Sequence, residues 1–256
     1  MVGMKKKRIV IGNWKMNPPT LADAKKIFSK IKQLSAEVSG VLVVCPPATY
    51  LNALVSSYKG KKIMFGAQDA HWLNNGSMTG FLSPTMAQSA GAKYLIVGHS
   101  ERRALAGETP EIIAKKVLAG VEAQLTVILC IGEKVRDRNA EYLTVIREDL
   151  RECLKKIDKR MMAHMMIAYE PVWAIGGRDA MSPSDIHGMT IYIRKVLTEL
   201  YDKQISDATQ ILYGGAVNVD NVADIVKDGE IDGLLVGRDS LIPENIMQIV
   251  AVANGK

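Results

Sequence analysis

Several kinds of protein are excluded by what this chain lacks. Among 256 residues there are three cysteines, Cys45, Cys130 and Cys153. The count is odd and no two form a CxxC pair, which argues against a disulfide framework and for a reducing, cytoplasmic setting. Aromatic residues make up only 5% of the chain, and none interleave with basic runs, so a nucleic-acid surface is not indicated. No apolar run approaches membrane-spanning length. The first residues lack the apolar segment and small-residue cleavage site of a secretory leader. The four histidines, His71, His99, His164 and His187, show no metal-ligand spacing. No Pro/Gly/Ser-rich linker or low-complexity tract divides the chain, which points to one domain over residues 1–256.

What is present is ordinary globular material: 48% hydrophobic and 23% charged residues, with a net charge of +6. The basic excess is scattered apart from Lys5-Lys6-Lys7-Arg8, which reads as a solvated end. A mild positive field suits an anionic small substrate. The four methionines at 161, 162, 165 and 166 read as core filling.

Short apolar runs alternate with amphipathic helical patterns from end to end. Strands are expected near residues 8–13, 41–45, 63–67, 94–98, 127–131, 165–170, 211–213 and 233–236. They read as continuous apolar runs, as parallel strands buried on both faces should. Thr20 caps the first helix, where Leu21, Ala24, Ile27, Phe28, Ile31 and Leu34 recur at helical spacing. Ser182-Pro183-Ser184-Asp185 opens a later helix as a capping box. Another helix is expected from about Val219. Eight such units are the count of a closed α/β barrel, (β/α)8, which takes about 250 residues. An open doubly wound sheet is disfavoured, because no Gly-x-Gly-x-x-Gly opens the first strand–helix turn.

In a barrel of this kind, the residues that follow the strands gather at one end and build the active site. Unusual polar residues stand there: Asn13 and Lys15 after strand one, His99 after strand four and Glu170 after strand six. Gly214-Gly215 follow strand seven and Gly237 follows strand eight. Glu170 ends an apolar strand, and Pro171 at once forbids its continuation as a central strand. The loop beyond, Val172-Trp173-Ala174-Ile175-Gly176-Gly177, is apolar, which fits a lid over a polar site. A carboxylate can take a proton next to a carbonyl, an imidazole can polarise that carbonyl, and an ammonium can offset the developing charge. Backbone N–H groups of Gly-rich loops can cradle a phosphate. Singly, each residue also fits a bland role: a solvated lysine, a histidine satisfied at a helix start, a glycine turn. The stretch from Gln68 to Ser83 is polar and aperiodic, and a loop of that length inside a compact domain is often functional.

The stretches GNWKMN (12–17), GAQ (66–68), GHSERR (98–103), CIGE (130–133), AYEPVWAIG (168–176) and YGG (213–215) together resemble the triosephosphate isomerase family, in its motif order. That family is itself a known instance of a glutamate base paired with a neutral histidine. The resemblance implies interconversion of glyceraldehyde 3-phosphate and dihydroxyacetone phosphate, in glycolysis and gluconeogenesis, with no cofactor and no metal. It implies Glu170 as the base shuttling a proton between C1 and C2, and His99 as a neutral electrophile. Asn13 and Lys15 would bind the substrate and its enediolate, joined in substrate binding by Gly176, Ala216, Gly237 and Arg238. Glu101 would support Lys15, Ser100 would support the resting position of Glu170, and Pro171 to about Met181 would form the lid. The loop 68–83 would insert into the partner of a homodimer, with Thr79 reaching the neighbouring site.

Four positions depart from the family pattern. Gly176-Gly177-Arg178-Asp179 stands where Gly-Thr-Gly-Lys is usual. Ala216 replaces a serine, Arg238 a glycine and Phe81 a glutamate that pairs with the arginine at position 102. An isomerase for a longer sugar, such as a tetrulose phosphate, and a non-catalytic barrel are the competing readings.

Overall fold

The structure is a computed structural model that describes residues 7–174 and 181–255. Eight parallel strands close into a barrel in sequence order: β1 (Ile9–Asn13), β2 (Val41–Cys45), β3 (Ile63–Ala67), β4 (Tyr94–Val97), β5 (Thr126–Ile131), β6 (Met165–Tyr169), β7 (Gln210–Tyr213) and β8 (Gly233–Val236). The ring is completed where β1 pairs with β8, Ile9 beside Gly233. The expected (β/α)8 barrel therefore forms, and the open sheet does not.

Helices run outside the ring: α1 (Leu21–Leu34), α2 (Ala48–Ser56), α3 (Pro84–Ser89), α4 (Ser100–Leu105), α5 (Pro110–Glu122), α6 (Glu141–Leu154), α7 (Pro183–Leu200), α8 (Lys203–Ala208), α9 (Val222–Asp228) and α10 (Pro243–Ala253). Their starts follow capping chemistry. Thr20, Ser83, Thr109 and Ser182 each accept an N–H three residues on, and Pro84, Pro110 and Pro183 each sit at a first helical position. Two elements differ from the sequence reading. The short helix α8 was not expected. The helix expected from about Val219 begins at Val222, because Asn218 Oδ1 accepts the N–H groups of Asp220 (2.9 Å) and Asn221 (3.0 Å) and holds them in a turn first.

Side chains alternate across each strand, and both faces are buried. One set, including Ile9, Ile11, Val43, Ile96, Ile128, Met166 and Ala168, packs as a separate cluster inside the ring. The other set, including Val10, Leu42, Leu95, Leu129 and Ile167, packs against Phe28, Leu51, Ile113, Leu150 and Ile193 from the helices. This two-sided burial is why the strands read as unbroken apolar runs. It also aims the site. The inward series Ile9, Ile11 continues to Asn13, and the series Met166, Ala168 continues to Glu170.

At the opposite end of the barrel the first and last described segments meet. The Arg8 backbone N–H donates to Asn254 Oδ1 at 3.1 Å, and its guanidinium donates to the carbonyls of Ile231 (2.9 Å) and Val226 (3.0 Å).

The long loop after β3 is fixed by a partly buried ion cluster. Lys116 on α5, 2% exposed, reaches Asp69 at 2.7 Å and Glu108 at 2.5 Å. Arg102 on α4 also reaches Asp69 (3.0 Å) and Glu108 (2.6 Å). Burial works to raise the Glu108 carboxyl, but the hydrogen bonds and charges of Lys116 and Arg102 outweigh it and hold it below the usual range. Removing one member of such a buried set leaves an uncompensated charge. Lys116→Met is expected to destabilise the fold by about 3–5 kcal/mol in urea denaturation; a loss under about 1 kcal/mol would show that the cluster does not anchor the loop.

Candidate active site

The C-terminal ends of the strands enclose a cavity of about 550 Å³, lined by Asn13, Lys15, His99, Glu101, Glu170, Gly214–Ala216, Gly237 and Arg238 among others. All of the sequence-derived candidates within the described residues meet at this end, except that Ser100 enters only through its backbone. Gly176 and Arg178 lie outside the described residues, as does most of the expected lid.

Glu170 is 2% exposed. Its N–H carries the β5–β6 bonding past the end of β6, to Ile131 O at 2.8 Å. Its carboxylate accepts the Ser100 N–H at 3.1 Å through Oε2, and Oε1 lies 3.3 Å from His99 Nε2. Two glycines make this placement possible. A Cβ on Gly132 would stand 1.7 Å from the Glu170 carbonyl oxygen, and one on Gly214 would stand 2.9 Å from Glu170 Cγ. Only a missing side chain allows the first approach.

His99 caps α4, and its Nδ1 accepts the Glu101 N–H at 3.2 Å. With Nδ1 taken up by that bond, Nε2 is the ring nitrogen that faces Glu170. Lys15 takes a left-handed backbone, φ 53°, an uncommon choice for a non-glycine residue. Three bonds hold it there. Its N–H donates to Asn13 Oδ1 (3.0 Å), its carbonyl accepts Gln68 Nε2 (2.8 Å), and its ammonium meets Glu101 at 2.5 Å. This twist turns the Lys15 chain across the barrel mouth, where its Cε lies 3.6 Å from where a Cβ on Gly237 would be. A side chain at 237 would therefore meet the lysine stem in ordinary van der Waals contact. Ser240 Oγ ties the β8 loop to Gly237 O (2.6 Å) and Asn13 O (3.3 Å).

A family model described as triosephosphate isomerase matches residues 8–253. The chain belongs to the triosephosphate isomerase family. Among relatives named triosephosphate isomerase, one from Roseiflexus sp. (strain RS-1) is 41% identical over 244 residues, covering 94% of this chain and 96% of that protein. One from Alkaliphilus metalliredigens (strain QYMF) is 37% identical, covering 96% and 99%. A fungal relative, from Coprinopsis cinerea, is 38% identical, covering 91% and 93%. The triosephosphate isomerase family catalyses an aldose–ketose isomerisation, which stands against the reading of a non-catalytic barrel.

Against that family, the departures acquire places. Ala216 lines the cavity and its carbonyl accepts Asn221 Nδ2 at 2.7 Å. Arg238 lines the same cavity and is exposed. Phe81 is 54% exposed and packs edge-on against His71, ring centroids 4.9 Å apart. Arg102 bonds Asp69 and Glu108 of the same chain. Thr79 lines a second cavity of about 520 Å³, shared with Asn13, Lys15, His99 and Phe81.

Sequence reasoning missed the backbone of Lys15, the part played by Gln68, and the partners of Glu133. The motifs GAQ and CIGE contain two of these residues but carry no sign of what they bond. Glu133, 1% exposed, accepts from Tyr169 Oη (2.8 Å) and Trp173 Nε1 (2.9 Å).

The three cysteines are fully buried, and burial pushes each thiol up; Cys130, beneath Glu170, is pushed further by that carboxylate. Thiols so raised stay protonated and unreactive. The folded protein at pH 8 is expected to react with no equivalents of an aromatic disulfide reagent, and with three after denaturation. Rapid labelling of any thiol in the folded state would contradict the burial.

Proposed function

We propose that this chain interconverts D-glyceraldehyde 3-phosphate and dihydroxyacetone phosphate, with Glu170 as the base. The observation that carries this reading is the facing pair: a carboxylate 2% exposed, its Oε1 3.3 Å from the His99 Nε2, with the Lys15 ammonium on the same cavity. Glu170 takes a proton from the carbon beside the carbonyl, and that C–H electron pair forms the carbon–carbon double bond of an enediolate. The carbonyl oxygen gains negative charge, which His99 Nε2–H and the Lys15 ammonium stabilise. His99 relays a proton between the two oxygens. Glu170 then returns its proton to the neighbouring carbon. No electrons leave the substrate, so the step needs no redox partner.

To reach the substrate, the carboxylate exchanges the Ser100 N–H for the substrate C–H. Asn13 and Glu101 hold Lys15 in place. The loops after β7 and β8, with Gly214–Ala216, Gly237 and Arg238, are suited to the phosphate by their place in the fold. Gly176 would close over it.

The reading extends to the assembly. The exposed apolar side chains Leu73, Met78 and Phe81 of the long loop, with Met16, Met86 and Leu105, support a homodimer formed through residues 68–83, with Thr79 at the joint. The chain would act as one domain in the cytoplasm; no described helix is long and apolar enough to cross a membrane.

Glu170→Gln is expected to lower turnover of glyceraldehyde 3-phosphate in a coupled assay by about 10²–10⁴-fold. Undiminished turnover would remove Glu170 as base, and faster turnover of a tetrulose phosphate than of a triose phosphate would reassign the substrate. Sedimentation should give twice the chain mass. Phe81→Arg is expected to shift the protein toward the monomer at micromolar concentration, and a wild-type monomer would refute the dimer.

A further inference from the structure

The segment that carries Glu170 is stitched to the loop after β5. The Glu170 N–H donates to Ile131 O and the Val172 N–H to Glu133 O, at 2.8 and 3.0 Å. The side chains of Tyr169 and Trp173 then converge on one oxygen, Glu133 Oε1. The other oxygen, Oε2, is buried with no hydrogen-bond partner among the described residues. A carboxylate so enclosed is costly unless a cation stands beside it.

Among the described residues, the one cation within ion-pair reach of Glu133 is Arg136, Nη1 to Oε1 3.4 Å. The same Nη1 donates to Tyr169 Oη at 3.3 Å and to Met181 Sδ at 4.0 Å. Nη2 lies 3.7 Å from Asp185 Oδ1 in the first turn of α7. The guanidinium carbon stands 4.5 Å over the ring of Tyr142 on α6. Four neighbouring segments therefore fix a side chain that is only 24% exposed.

We propose that Arg136 is a positioning residue for the isomerisation: by neutralising Glu133 it holds Tyr169 and Trp173, and through them the backbone that aims the Glu170 carboxylate. The inference rests on the reading of Glu170 as the base. Tyr169 supports the arrangement independently. Its hydroxyl is pushed well up, first by burial and then by the Glu133 charge, so it stays a donor to that carboxylate. A guanidinium suits the task, since its planar fork serves Glu133, Tyr169 and Asp185 together.

A merely structural bracket between the β5 loop and α7 would act through Asp185. The two roles separate in a double-mutant cycle. Arg136→Leu is expected to lower kcat about tenfold with KM changed less than about twofold, because the phosphate end of the cavity is untouched. In a Glu133→Gln background, where no charge needs neutralising, the same substitution is expected to change kcat less than about twofold. Arg136→Lys is expected to recover part of the loss. Fluorescence of the ligand-free protein supplies a readout apart from turnover. Arg136→Leu is expected to alter the tryptophan emission, and the difference is expected to vanish in a Trp173→Phe background. Equal loss of kcat in both Glu133 backgrounds, or unchanged Trp173 emission, overturns the proposal. If Arg136→Leu does not fold, Arg136→Gln, neutral and of similar reach, gives the same comparison. Should the wild-type protein turn over no triose phosphate, the catalytic reading fails, and the emission still decides whether Arg136 holds Trp173.

Discussion

The site depends on one close approach between two loops of the barrel. The carbonyl of Glu170 lies where a side chain on Gly132 would be, and the Glu170 N–H closes on Ile131. That contact fixes the backbone of Glu170 at the moment the strand ends. A side chain of a working site must be held within about 0.5 Å of its place. Here the scaffold supplies that hold through the backbone, before any side chain contributes. Gly214, on the other flank, keeps the space into which the Glu170 side chain extends.

Around this fixed point the charges are arranged by short-range bonds. His99 Nδ1 accepts an N–H from Glu101, and Glu101 also takes the ammonium of Lys15. One residue thus orients both the imidazole and the cation. Lys15 tolerates an unfavourable backbone angle because Asn13 and Gln68 over-determine it. Strain of this kind persists where the surroundings enforce it, and it commonly marks working sites.

The barrel was legible because the strands are buried on both faces, so eight unbroken apolar runs stand out against amphipathic helices. The inward phase of β1 and β6 then aims Asn13 and Glu170, and the motifs named His99 and Lys15. What lay hidden was contact between distant segments. The interval from Glu133 to Trp173 gives no sign that indole and carboxylate meet. The φ of Lys15 leaves no mark in composition. The helix α8 is six residues long, too short for periodicity to reveal. The start expected near Val219 failed for a local reason: Asn218 spends its side chain on a turn that competes with the helix.

Arg8 and Asn254 bond to each other on the face of the ring away from the cavity. The first and last described segments are therefore neighbours in space, although distant in sequence. A short bridge between Arg8 and Asn254 would span little of that face, leaving new termini to be opened in an exposed loop elsewhere.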